Sequence, residues 1–199
     1  MEQILNLLSG NLGNQLTAGI SRETGTSETE ARSVMVTALP AHFGALQKNA
    51  MDDQGAQGIL HALGSKHDGG ILDNISSFLQ NKDTADGNRI LTHLFGDKQS
   101  ALEKRISEKS GVSSATVSKI LAMLAPVVMG YLGKQSRKKN VSNGAGLNDL
   151  LGGLLGGQAG SGVLGSLLDQ NGDGKLGIDD VDGLLGGFFK KKMTYSFLE

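Results

Sequence analysis

The chain of 199 residues has no cysteine, no tryptophan and only two prolines. Without cysteine there are no disulfides and no thiolate metal sites, and the redox compartment is left open. Aromatic residues make up 4% of the chain, so a core has to be built from Leu, Ile, Val, Met and Ala. No stretch approaches the roughly 18 uninterrupted apolar residues that a membrane-spanning helix requires. Residues Met1 to Gly10 carry neither a basic start nor a sustained apolar run, so no secretory signal is expected and a cytoplasmic location is the default. The net charge of -1 is too small to draw the chain as a whole to nucleic acid or an anionic membrane. Catalytic signatures are missing too: there is no nucleophile elbow, Walker loop or Gly-x-Gly-x-x-Gly turn after a strand. His42, His61, His67 and His93 lack metal-ligand spacing such as His-Glu-x-x-His, and Asp52-Asp53 sits among polar residues and reads as solvated. A non-enzymatic protein is expected.

What is present is helical and repeated. Residues 4–48 align without a gap onto residues 90–134, with Gly10/Gly96, Gly25/Gly111, Ser27/Ser113, Pro40/Pro126 and Gly44/Gly130 among the identical pairs. Two copies of one helical unit follow from that shared register. In each, a helix at about 11–24 or 98–110 keeps apolar residues a turn apart and stops at Gly25 or Gly111, placed as a C-cap. Ser27 or Ser113 then opens a long helix to about 48 or 135, and Ser27-Glu28-Thr29-Glu30 has the form of a capping box. Pro40 and Pro126 fall inside these helices and should bend them. The apolar runs 34–39 and 120–129 should form the central, mutually packed pair. Between the copies, 54–63 and 70–80 read as two shorter helices, so residues 1–135 read as one all-α domain, a helical bundle with an internal duplication.

Three segments carry a resemblance: Asp68-Gly69-Gly70-Ile71-Leu72, Asn88-Arg89-Ile90-Leu91-Thr92-His93-Leu94-Phe95-Gly96, and the helix containing Ala125-Pro126. The chain resembles the bacterial YidB-like family, domain of unknown function 937, over about two thirds of its length. That resemblance implies a helical fold and no activity.

Composition changes past residue 135. Arg137-Lys138-Lys139 opens a basic hinge, and Leu-Gly repeats run from Gly144 to Gly165. Glycine costs a helix up to about 1 kcal/mol relative to alanine. Residues 136–163 therefore read as a pliable tether, although Gly152, Gly156 and Gly160 could line one helix face for close packing or membrane contact. Residues 164–190 follow as a candidate calcium unit and 191–199 as a tail. Asp169, Asn171 and Asp173 fall at positions one, three and five, Gly174 at six, the Lys175 carbonyl at seven and Asp180 at twelve. A hard cation such as Ca2+ takes six to eight oxygens, and alternate side chains converge on it only if glycine permits the sharp turn at six. The metal set is thus Asp169, Asn171, Asp173, Lys175 and Asp180. With Asp at twelve, the loop resembles the dockerin-type variant of the EF-hand; an Asx-rich turn without metal is the alternative.

The sequence supports a non-enzymatic calcium-binding protein whose helical domain is a binding or assembly module, working through self-association or an unidentified protein partner. Two alternatives stand beside it. The segment 106–121 resembles the helix-turn-helix of lactose-repressor-type regulators, although Glu28 and Glu30 occupy the matching face of the other copy, where they would repel phosphates, so no nucleic acid is expected. The Gly/Leu segment could instead make the protein membrane-associated.

Overall fold

The computed structural model describes residues 7–81 and 84–155. Among them are eight α-helices and no strand: α1 Asn11–Thr24, α2 Glu28–Ala50, α3 Asp53–Ser65, α4 Ile75–Gln80, α5 Ala85–Phe95, α6 Gln99–Ser110, α7 Ser114–Lys138 and α8 Gly144–Leu155. The class is all-α.

The two corners α1/α2 and α6/α7 have the same local construction. Gly25 ends α1 at φ 73° and Gly111 ends α6 at φ 74°, left-handed values that favour glycine, and each N–H returns to a carbonyl four residues back at 2.9 Å. Thr24 and Ser110, just before them, both donate a hydroxyl to the carbonyl four residues earlier at 2.7 Å. Ser27 and Ser113 then cap the long helices, each accepting the N–H of the third helical residue. At Ser27 the capping box is complete, since Glu30 Oε2 accepts the Ser27 N–H at 2.8 Å, whereas Thr116 occupies that place in α7.

The long helices α2 and α7 pack against each other and form the centre, and each also touches α1, α3, α5, α6 and α8. Ile120, Leu121, Leu124 and Ala125 of α7, and Val34, Met35, Ala38 and Phe43 of α2, are fully buried. Both helices run through their prolines. Because Pro126 has no N–H, the Ala122 carbonyl loses its helical donor. By length and composition α7 could cross a membrane, but 72% of its apolar window is buried inside the bundle.

Two sequence readings change. Residues 70–80 do not form one helix: Gly70–Asn74 is a 3-10 turn, and Asn74 at φ -143°, ψ 53° breaks the path before α4 begins. The larger change concerns the tether. Over 144–155 the Gly/Leu-rich segment is helix α8, opened by Asn143, whose Oδ1 accepts the Gly146 N–H at 2.9 Å. Leu147, Leu150, Leu151, Leu154 and Leu155 are buried, and the helix packs on α2 and α3. Among the described residues the helical body therefore extends past 135, to Leu155.

Candidate functional site

The proposed calcium ligands Asp169, Asn171, Asp173, Lys175 and Asp180 lie outside the described residues, as do Gly156 and Gly160. Among the described residues no group of three or more His, Cys, Asp or Glu is placed to hold a metal ion. Their charged and polar chemistry concentrates instead at a seam where the turn 66–74 crosses α7 beside α5.

Glycines bring the backbones together there. Gly133 of α7 faces the His67 carbonyl and Gly130 faces the Ile71 side chain, each so close that a Cβ would collide. Gly69, at φ 103°, lies over Lys134, whose Cβ is 2.9 Å from where a Gly69 Cβ would stand. Nearer the start of α7, Gly87 of α5 packs directly on the Ala122 carbonyl.

Two ion pairs and one histidine–carboxylate contact close the seam. Arg137 reaches Asp68 Oδ2 at 3.0 Å, Lys134 reaches Asp73 Oδ1 at 3.5 Å, and His67 Nε2 faces Asp86 Oδ2 at 3.5 Å. The Gly70 N–H, which donates to Asp68 Oδ1 at 3.0 Å, holds the Asp68 carboxyl below the usual carboxylate range, and Arg137 adds to that. Burial holds the His67 imidazole below the usual histidine range; Asp86 pulls it back up and Lys66 opposes it. The first two contacts are exposed and individually weak, so the glycine packing carries most of the docking.

The remaining histidines separate. His61 and His93 are exposed, while His42 is fully buried in α2. His42 Nδ1 lies 2.7 Å from the Ala38 carbonyl and therefore carries the proton. Its Nε2 is buried with no hydrogen-bond partner among the described residues, and the Phe95 ring packs on it edge-on at 5.6 Å. Burial pushes this imidazole down to about 4, with the Ala38 and Leu121 carbonyls pulling the other way. A hollow of about 130 Å³ between α1 and α4 is lined by Gln15, Arg22, Ser76 and Gln80 among others. It is well below the roughly 300 Å³ at which small-molecule sites begin.

The helix-turn-helix-like segment exposes Ser113, Ser114, Ala115 and Lys119, but from Ile120 to Gly130 α7 is buried. In the sequence Asp68-Gly69-Gly70 is legible as part of a segment that carries the family resemblance, and the seam is not. Its signal was the set of glycines inside helical patterns, at Gly87, Gly130 and Gly133, since a glycine kept there marks close backbone approach.

The described residues thus define an all-α bundle with a glycine-packed polar seam and no metal cluster. The chain belongs to the family described as bacterial protein of unknown function (DUF937), whose profile matches residues 6–135. The seam residues from His67 to Lys134 lie within that match; Arg137 and α8 lie beyond it. No curated protein and no solved structure gives a match.

Proposed function

We propose that this is a non-enzymatic calcium-binding protein in which the helical bundle is a binding or assembly module and the C-terminal region carries one calcium loop. The observation that carries the reading is the register of five oxygen positions: Asp169, Asn171, Asp173, the Lys175 carbonyl and Asp180, with Gly174 at the turn. No other stretch of the chain offers such a spacing.

The bundle's own chemistry suits a scaffold. Asn148 Nδ2 donates to the Ala50 carbonyl and so ties α8 to α2, and the charged pairs Arg137–Asp68 and Lys134–Asp73 neutralise one another at the seam. Aspartate at twelve is one methylene shorter than the glutamate of the standard loop, so capture of the ion requires the following segment to move inward and the affinity is modest. Leu167, Leu168, Val181, Leu184 and Leu185 flank the loop and would supply an apolar face once the ion is bound.

Calorimetric titration of calcium into the full chain tests the proposal. Heat of binding is expected for the wild type and is expected to vanish in the double variant Asp169→Ala with Asp173→Ala. Equal heat in both proteins, or none in the wild type, overturns it.

A further inference from the structure

We propose that copies of this chain associate head to tail, the α1/α2 corner of one copy docking on the α6/α7 corner of the next. This rests on the assembly-module reading of the bundle but not on the calcium loop.

The argument starts from the two corners, which share one backbone construction and differ in charge. Gly25 and Gly111 have nearly the same φ, and Ser27 and Ser113 make the same cap bond, so the same relief is presented twice. Side chains at matching positions then change sign: Arg22-Glu23 in the first corner stands where Glu108-Lys109 stands in the second. The first turn of α2 exposes Glu28 and Glu30, whereas the first turn of α7 has no acidic residue and presents Ser114 and Ala115. One turn further, Ser33 of α2 is matched by the exposed Lys119 of α7, and Ala18 of α1 by the exposed Lys104 of α6. With Arg22 and Arg32 set against Glu23, Glu28 and Glu30 the first corner keeps a small negative excess, and with Glu103 and Glu108 set against Lys104, Arg105, Lys109 and Lys119 the second keeps a positive one.

That difference selects the mode of association. Joining like corners would set Glu28 and Glu30 against their own copies, or Lys104 and Lys119 against theirs, and like charges repel. Joining unlike corners places acidic rim on basic rim, with Arg22 meeting Glu108. Such a contact uses two different patches, so it is heterologous: each copy keeps a free corner of each kind, and the chain of copies closes as a ring or continues as a filament. Exposed ion pairs are individually weak and screened by salt, so the association is concentration-dependent and lost at high ionic strength.

Sedimentation velocity on the full chain in EDTA tests this. At about 50 mM salt the sedimentation coefficient is expected to rise with protein concentration, and at about 500 mM to fall to the monomer value. Two variants exchange the corners. Glu28→Ser with Ser33→Lys makes both corners basic, and Lys104→Glu with Lys119→Glu makes both acidic. Each alone is expected to stay monomeric at low salt with unchanged helical circular dichroism, and their equimolar mixture to associate. A monomeric wild type at low salt, or a mixture that stays monomeric while both variants remain folded, overturns the proposal. Because calcium is absent throughout, these outcomes are separate from the calcium titration.

Discussion

Gly87 of α5 lies against the Ala122 carbonyl of α7, with no space between them for a Cβ. Ala122 stands four residues before Pro126, so its oxygen has lost its helical donor and faces α5 instead. The missing side chain on one helix and the missing N–H on the other permit the same contact.

Glycines in this fold therefore divide by what faces them. Gly87→Ala should cost about 3 kcal/mol, the upper part of the overpacking range, because the obstacle is backbone. Gly130→Ala should also destabilise, by driving into Ile71. Gly44, which aligns with it in sequence, has nothing within 4 Å of a new Cβ, so Gly44→Ala should stabilise α2 by up to about 1 kcal/mol. Urea unfolding of the three variants checks the two signs.

His42 makes stability depend on pH. Its folded value of about 4 lies below the ordinary 6.5, so the unfolded chain takes up the proton first as pH falls. This contribution is complete above pH 6.5 and is lost progressively as pH falls to about 4, amounting to about 3 kcal/mol. His42→Leu should remove that part of the slope, leaving the contribution of His67, which runs in the same direction. The measurement is the wild-type minus variant difference in urea stability at pH 7 and pH 4.5; a constant difference contradicts the assignment.

Helix α8 is part of the core. Leu151 is fully buried, so Leu151→Ala should cost about 2 to 5 kcal/mol, where a free tether would show no change. Thermal unfolding decides between the two.

The proposed calcium loop makes its own prediction through position twelve. Asp180→Glu restores the longer carboxylate of the standard loop and should tighten calcium binding, read as a lower dissociation constant at fixed pH. Weaker binding would show that Asp180 is not the closing ligand.

Much of this fold is legible in the sequence where structure is local. Gly25, Gly111, Ser27 and Ser113 mark their own turns and caps, and the observed helices α1, α2, α6 and α7 begin and end within a few residues of those expectations. Where partners are distant, legibility fails. Residues 144–155 carry glycines that each cost a helix about 1 kcal/mol, but five buried leucines contribute about 1.5 to 3 kcal/mol apiece, and burial wins. That outcome depends on the α2 surface, including the Ala50 carbonyl, which accepts Asn148 Nδ2 at 3.0 Å from 98 residues away. The seam was hidden for the same reason, since Gly133 has meaning only once His67 is known to cross it. The proposed calcium ligands rest on sequence alone, a spacing contained within twelve residues.

Equilibrium dialysis of the full chain against radioactive calcium, with the bound ions counted per chain, is the most direct measurement. One ion per wild-type chain and none in the Asp169→Ala, Asp173→Ala variant is the predicted result. No bound calcium in the wild type, or the same count in the variant, would contradict the account.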